Sequence, residues 1–160
     1  MPLSWGKITS PVPGRRKAIT APAAATAFVW PSRVYYEDTD FSGVVYHANY
    51  LKYLERARTE WLRALGCNAQ ALRREYGVAF TVARMEIDFL KPARMDDVVE
   101  VSAVPALVKR VYFLLDQEAR LAGEPIARAR VQIACIACEG FAPRPIPEFL
   151  FEKLTQKEVT

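Results

Sequence analysis

The stretch from Val34 to Gly66 limits the possible folds more than any other, because its residue spacing changes from a strand pattern to a helix pattern across an acidic turn. At its start, the β-branched and aromatic run Val34, Tyr35 and Tyr36 favours a strand. From about Ala48 the apolar residues fall on one helical stripe, formed by Tyr50, Leu54, Ala57, Trp61 and Leu65. Gly66 can close this helix in the left-handed conformation. The pattern predicts a helix of roughly 18 residues and about 27 Å, the longest in the chain.

Composition divides the 160 residues into an arm, a domain and a short tail. Residues 1–27 hold four prolines, six alanines, a basic cluster and no acidic residue, so they are predicted to be a disordered or loosely docked arm. A targeting peptide is the alternative, but the apolar part AITAPAAATA is short and contains a proline. The domain is predicted to span residues 28–154, and residues 155–160 form the tail.

The spacing of apolar residues after the long helix predicts one short helix and then a run of strands. The first strand is expected at 28–36, the short helix at 68–77, the later strands at 77–90, 97–104, 107–119 and 125–138, and a last helix at 147–157. One long helix followed by long strands with short connections indicates the α+β class and an antiparallel sheet. The second face of this sheet, with Val108, Tyr112 and Leu114, is apolar enough to favour dimerisation.

Charge and cysteine content exclude several classes of function. A net charge of +4 is too small to indicate a nucleic-acid partner, and no apolar run approaches the ~18 residues that a membrane span needs. Cys135 and Cys138 are three apart in a strand, where side chains alternate, so they cannot converge on a metal. Together with Cys67 they are expected to be reduced thiols of a cytoplasmic protein. The acidic turn also resembles a calcium loop, but Asn49 stands at the position of the required glutamate.

Two segments carry a resemblance to a known family. VYYEDTDFSGVVYHANYLKYLERARTEWLR, continued by FTVARMEIDFLKPARMDD, resembles the hotdog-fold acyl-CoA thioesterases. The similarity is to the 4-hydroxybenzoyl-CoA thioesterase family, and within it to the Tol–Pal-associated (YbgC-type) branch. It implies a curved antiparallel sheet of about five strands wrapped around one long central helix, in a homodimer or homotetramer. It also implies hydrolysis of an acyl-CoA, with coenzyme A as part of the substrate and no separate cofactor. Acyl carrier protein is a further candidate partner, and the cysteine spacing and the incomplete calcium loop described above predict no metal.

The resemblance assigns catalysis to the acidic turn and the start of the helix. Asp40 matches the family's catalytic aspartate, which acts as nucleophile or as general base. The backbone N–H at His47 matches the donor that polarises the thioester carbonyl, and a helix N-terminus offers such donors. Gly43 either lets the backbone approach the substrate or simply forms a turn. From its residue type alone, shaping the turn is the favoured role of Asp40.

Further candidates surround these residues. Tyr46 and Asn49 are expected to contact the substrate, with helix capping as the other role for Asn49. Lys109 and Arg110, expected in a strand, are candidates for the coenzyme A phosphates, or they are charges that protect a strand edge. Glu55 on the helix is the reserve catalytic carboxylate. A structural ion pair between Glu55 and the nearby Arg58 is the favoured alternative for it.

Two other functions fit the same pattern. A hotdog dehydratase would use the His47 side chain as a base on a 3-hydroxyacyl thioester. A non-catalytic module would bind acyl carriers or an envelope complex without turnover.

Overall fold

The computed structural model describes residues 27–156. The predicted arm therefore lies outside the described residues except for Ala27, and so does the predicted tail beyond Gln156. Both of those predictions remain untested.

Within these residues, five strands form one antiparallel sheet in the order β1-β3-β4-β5-β2. The strands are β1 (Phe28–Arg33), β2 (Val78–Phe89), β3 (Val98–Val108), β4 (Tyr112–Leu121) and β5 (Glu124–Ala137). The alternating burial along β5, from Ala127 to Ala137, shows that one face of the sheet is covered and the other is more open. β1 and β2 are the edge strands, and β2 presents a free edge of 12 residues.

Helix α1 (Tyr50–Ala64) lies on the covered face. The predicted stripe is confirmed: Tyr50, Leu54, Ala57 and Trp61 are buried, and the Trp61 ring lies 5.9 Å from that of Phe113 on β4. The helix closes through Gly66 at φ +77°, as expected for a left-handed C-terminus. It is shorter than predicted, at 15 residues or about 22 Å, because residues 47–49 form a 3₁₀ turn before it.

Two short helical segments complete the fold. Helix α2 (Ala69–Ala71) begins at Asn68, whose side chain accepts from the N–H groups of Gln70 and Ala71, and it continues as a π-helical turn (Leu72–Tyr76) that Gly77 ends at φ +64°. Helix α3 (Glu148–Thr155) packs on the core through Leu150 and Leu154. Both were predicted within a few residues. No helix in the described part of the protein is long and apolar enough to cross a membrane.

The first strand ends earlier than predicted. Tyr36 begins a 3₁₀ turn (Tyr36–Asp38), and the Tyr35 N–H donates to the Asp38 carboxylate at 2.9 Å instead of to a neighbouring strand. The aspartate side chain competes successfully with the sheet for this backbone donor, which is typical of residues that favour turns. The strand preference of the two tyrosines is therefore overridden, and their rings are exposed.

The boundary between β3 and β4 also differs from the prediction. β3 continues past Pro105 with a register shift before Leu107. Proline is tolerated there because β1 pairs with β3 only as far as Ala103, so its missing N–H lies on a free edge. As a consequence, Lys109 and Arg110 lie in the turn between β3 and β4, and the prediction that they belong to a strand is wrong.

The open face of the sheet is apolar at one end and charged at the other. Tyr112 and Leu114 on β4 are half-buried, in accord with the predicted apolar patch. Farther along β4, Asp116 forms an ion pair with Arg130 at 2.7 Å, and Glu118 forms one with Arg128 at 2.7 Å. These cross-strand pairs join β4 to β5 and neutralise charge on this face.

Candidate active site

The acidic turn places the Asp40 carboxylate in solvent at the tip of a closed loop. The loop is fixed by its own backbone: Asp40 N–H donates to Val44 C=O at 2.9 Å, and Gly43 N–H donates to Asp40 C=O at 2.9 Å. Gly43 has φ +78°, and a Cβ there would meet no atom within 4 Å. Glycine is therefore needed for its backbone conformation and not for space.

Hydrogen bonds from Ser42 hold the Asp40 carboxylate in its ionised form. The Ser42 hydroxyl and the Ser42 N–H both donate to Oδ1 of Asp40, the latter at 2.8 Å. These two bonds lower the pKa of Asp40 below its ordinary value, with a smaller contribution from His47 nearby. Sequence reasoning assigned no role to Ser42, although an Asp followed two residues later by Ser is a common turn pattern that could have identified it.

Asp38, two residues before Asp40, is buried and connects the two ends of the turn. Its backbone carbonyl oxygen accepts from Tyr46 N–H and from the Asn49 side chain, both at 2.9 Å. Burial raises the pKa of the Tyr53 hydroxyl behind it, and the adjacent Asp38 carboxylate raises that pKa further. Asp38 thereby fixes the segment on both sides of His47, a role that sequence reasoning missed.

His47 lies at the start of the 3₁₀ turn that leads into α1. N–H groups at the first positions of a helix have no acceptor inside the helix, and the backbone hydrogen bonds of the turns and loops within residues 27–156 include none that the His47 N–H donates. The His47 ring lies between the ring of Tyr46 at 4.5 Å and the ring of Phe89 at 6.2 Å. Phe89 brings the end of β2 to this site, which no local sequence pattern indicated.

Asn49 serves the loop and does not cap the helix. Its amide group donates to the backbone carbonyl of Asp38, and no capping bond from a side chain forms at the start of α1. The helix-capping alternative for Asn49 is therefore wrong, and its contact with substrate stays a prediction.

A groove of about 810 Å³ runs between α1 and β2. Its apolar walls come from Leu51 on the helix and from Val82, Met85 and Ile87 on the strand, and its polar residues are Lys52, Glu55, Arg56 and Arg58. Ile87 and Phe89 share one face of β2, so one end of the groove opens beside His47.

The predicted ion pair between Glu55 and Arg58 does not form. Glu55 is exposed and accepts from the Thr59 hydroxyl at 2.7 Å, whereas Arg58 turns inward and donates to Gln117 Oε1 on β4 at 2.9 Å. Helical spacing allows the pair, but the packing of α1 on the sheet brings Gln117 closer to the guanidinium. Glu55 lies in the wall of the groove, about one and a half turns from the start of α1.

Lys109 and Arg110 lie far from Asp40 of the same protomer. Phe89 lies beside His47, at the end of the sheet where β4 finishes. Arg110 lies at the opposite end, where β4 starts. At ~3.3 Å per strand residue, the two ends are about 30 Å apart. Arg110 pairs with Glu148 at 2.7 Å and stacks over the Phe151 ring at 4.8 Å.

The cysteines show no metal-binding arrangement. Cys67 and Cys135 are buried, Cys138 is partly exposed, and all three are free thiols. Within residues 27–156 no group of three or more His, Cys, Asp and Glu side chains could hold a metal ion. Burial raises the pKa of Cys67 and of Cys135 to about 11.

Known proteins share this architecture and sequence. The family model described as the thioesterase-like superfamily matches residues 34–154. The chain is 40% identical over 121 residues to the acyl-CoA thioesterase YbgC of Haemophilus influenzae, covering 76% of this chain and 89% of that protein. It is 39% identical over 132 residues to the acyl-CoA thioester hydrolase YbgC of Escherichia coli O6:H1, covering 82% and 98%.

A solved structure agrees with these relatives. The crystal structure of a probable thioesterase from Bartonella henselae superposes with a TM-score of 0.73 at 37% identity, covering 76% of this chain and 100% of that one. The predicted α+β hotdog architecture and the resemblance to the YbgC-type branch are thereby confirmed. This chain belongs to the thioesterase-like superfamily.

Proposed function

We propose that this protein is an acyl-CoA thioesterase, which hydrolyses its substrate to a carboxylic acid and free coenzyme A. The observation that carries the proposal is the ionised, solvent-exposed carboxylate of Asp40, held near the first amides of a helix. A carboxylate and a helix N-terminus supply the two things that acyl transfer needs, a base or nucleophile and an oxyanion donor. The acyl-CoA thioesterases named YbgC among its relatives support the same conclusion.

In the general-base route, Asp40 accepts a proton from water while the water oxygen attacks the thioester carbon. The carbonyl π electrons move to oxygen, and the His47 N–H donates to the resulting oxyanion. When the C=O bond re-forms, the C–S bond breaks and its electrons leave with sulfur. Coenzyme A departs as a thiolate, whose parent thiol has a pKa near ~8.5, so little help from an acid is needed.

In the nucleophilic route, an Asp40 oxygen attacks the thioester carbon directly and expels the thiolate, giving a mixed anhydride. Water then attacks the anhydride, and both routes end in the same acid and the same thiol. A single turnover in ¹⁸O-water separates them. Label found in the Asp40 carboxylate after proteolysis supports an anhydride that water attacks at the Asp40 carbonyl carbon. Label confined to the released acid excludes that path and leaves the general base or attack on the acyl carbon of the anhydride.

We infer that the working form is a homodimer or homotetramer in which a second copy lies along the free edge of β2. Antiparallel pairing along that edge would bring the β4 start of one copy beside the Asp40 end of the other. Lys109 and Arg110 of the second copy would then contact the coenzyme A phosphates. Within one protomer this contact is disfavoured, because the two residues lie far from Asp40. Such pairing would also cover the exposed carboxylate and exclude water from it.

Turnover of a panel of acyl-CoA and acyl-carrier-protein thioesters, followed by thiol release, tests the proposal. We expect Asp40→Asn to lower kcat by at least ~10² while leaving the fold intact, as is typical on loss of a general base. If activity survives within a few-fold, Asp40 is structural and Glu55 becomes the candidate catalytic carboxylate, which Glu55→Gln tests. Incubation with a 3-hydroxyacyl-CoA separates the dehydratase alternative by its enoyl product, and binding without turnover would support the carrier-binding module.

A further inference from the structure

Arg58, in the middle of α1, is a buried cation that forms no ion pair within the described residues, although the Glu55 carboxylate acts on its charge without contacting it. It exposes 8% of its surface, and among the described residues its guanidinium makes one hydrogen bond, to the neutral Gln117. None of the ion pairs formed among residues 27–156 involves it. A guanidinium stays protonated even when buried, and a buried charge normally has an opposite charge beside it. Arg58 therefore has no carboxylate in contact with it within the described residues.

Gln117 holds the guanidinium in place without neutralising it. The Gln117 amide group donates to Leu54 C=O at 3.1 Å and to Ser102 C=O at 3.5 Å. With its NH₂ group committed to these carbonyls, only its oxygen faces Arg58. The arginine is thus fixed in orientation by one of its donors, and its other donors remain for a ligand.

The groove beside Arg58 is suited to an acyl group that ends in an anion. Leu51, Val82, Met85 and Ile87 line it with apolar surface, while its charged residues are three cations, Lys52, Arg56 and Arg58, and one carboxylate, Glu55. That carboxylate is exposed and bonded to Thr59. The groove is apolar along its length, positive in net charge, and has a permanently charged donor in its wall.

The groove also has the right position relative to the proposed reacting centre. Tyr50 packs on Phe89, beside His47, and Arg58 lies eight residues farther along α1, which is about 12 Å. Side chains on a helix lean toward its N-terminus, so the guanidinium lies closer to His47 than its Cα does. An extended acyl group whose carbonyl meets the His47 amide can reach Arg58 with its far end.

We propose that Arg58 binds a carboxylate at the far end of the acyl group, so that the preferred substrates are coenzyme A monothioesters of dicarboxylic acids. This specificity rests on the proposed thioester hydrolysis. A planar guanidinium with several free donors matches a carboxylate in a bidentate geometry. A plain fatty acyl group would leave the same guanidinium buried and unpaired, and a site with unpaired polar groups discriminates strongly against such an analogue.

A matched pair of substrates tests this assignment. Suberoyl-CoA and octanoyl-CoA have the same number of acyl carbons and differ only in the terminal carboxylate. We expect the wild-type protein to give the higher kcat/KM with suberoyl-CoA. We expect Arg58→Met to lower kcat/KM for suberoyl-CoA, relative to kcat/KM for octanoyl-CoA, by at least ~30-fold, the low end of the effect of removing one partner of a buried charge pair.

Two variants serve as controls. Arg58→Lys keeps the charge but loses the bidentate geometry, so it should retain part of the preference. Arg63→Met removes an exposed arginine of the same helix, paired with Glu60, and should leave the preference unchanged. Octanoyl-CoA turnover and the melting temperature of Arg58→Met report on folding. Because the buried Gln117 Oε1 loses its donor in this variant, the melting temperature should fall somewhat, and this loss should affect both substrates alike.

The result that overturns the assignment is an equal loss on both substrates in Arg58→Met, or no preference in the wild type. An equal loss together with a change in oligomeric state would show that Arg58 instead pairs with a carboxylate of a second copy. Calorimetric titration of Asp40→Asn with both thioesters measures the preference without turnover. If neither thioester is hydrolysed but suberoyl-CoA binds more tightly through Arg58, the proposed hydrolysis is wrong and the proposed carboxylate site is supported. If both are hydrolysed without preference, the hydrolysis is supported and the carboxylate site is wrong.

Discussion

Ser42 donates two hydrogen bonds to a single oxygen of Asp40, one from its hydroxyl and one from its backbone N–H. Both bonds are stronger when the carboxylate is charged, because the charged form is the better acceptor, and they therefore lower the pKa of Asp40. Among the described residues the other oxygen, Oδ2, accepts no hydrogen bond and faces solvent. The arrangement occupies one oxygen and keeps the whole carboxylate ionised, which leaves the second oxygen free to accept a proton or attack carbon.

Ser42→Ala is expected to move the acidic limb of the pH–rate profile upward. A base works in its ionised form, so activity is present above the pKa of Asp40 and is lost as the pH falls through it. In the wild type this loss should occur below the ordinary range of an aspartate, because the folded-state pKa is lowered. Measurement of kcat/KM against pH for both proteins tests this. An acidic limb that does not move would show that Ser42 does not tune Asp40.

Gly43→Ala should lower kcat through the backbone of the Asp40 loop. An alanine at φ +78° is strained although no atom crowds it, and strain of this kind costs of order 1–3 kcal/mol. Gly123→Ala is the matched control, since Gly123 has φ +81°, is equally uncrowded, and lies in the turn between β4 and β5. Both should lose stability to a similar extent in thermal unfolding, but only Gly43→Ala should lose turnover. Equal kcat values in the two variants would contradict a role for the loop geometry.

Replacing both Lys109 and Arg110 by alanine should raise KM for an acyl-CoA with kcat little changed. Contacts to the phosphates are the same in the ground state and the transition state, so they contribute to binding only. The penalty should shrink at high salt, because exposed charges are screened. A short thioester without the nucleotide should be hydrolysed equally by both proteins. Equal damage on both substrates would show that the two residues shape the turn or the fold instead of binding phosphate.

Thiol reactivity should separate Cys138 from the other two cysteines. Burial raises the pKa of Cys67 and of Cys135 to about 11, so at neutral pH both are protonated and shielded. Cys138 is partly exposed. Titration of the native protein with a disulfide reagent should give one fast thiol, and titration after denaturation should give three. Fast reaction of all three in the native protein would contradict the burial of Cys67 and Cys135.

The elements that follow from local period were predictable from the sequence. The stripe that ends at Trp61 and Leu65 identified α1, and the alternation in β5 identified its covered face, because a side chain's direction repeats every 3.6 residues in a helix and every two in a strand. Left-handed glycines at Gly66 and Gly77 were predictable for the same local reason. The resemblance carried by the acidic turn and the helix supplied the fold and the candidate site.

Other features depend on competition between local preference and distant contacts. Tyr35 and Tyr36 prefer a strand, yet the Asp38 carboxylate takes the backbone donor and the polypeptide turns. Lys109 and Arg110 fall in a turn because β3 could extend past Pro105 on an edge left free by β1. Neither result can be obtained from residue spacing, since each depends on which strand lies alongside.

Arg58 shows the division between the two kinds of information most clearly. Residue spacing alone places this arginine beside the apolar stripe of α1, with Glu55, three residues earlier, within its reach. In the folded protein, however, Glu55 bonds to Thr59 and Arg58 turns to Gln117, which is 59 residues away in the sequence. The geometry of the helix allows Arg58 to reach Glu55 and also allows it to turn toward the sheet. Packing of α1 against β4 selects one, because it fixes which acceptor lies under the helix and removes the guanidinium from water.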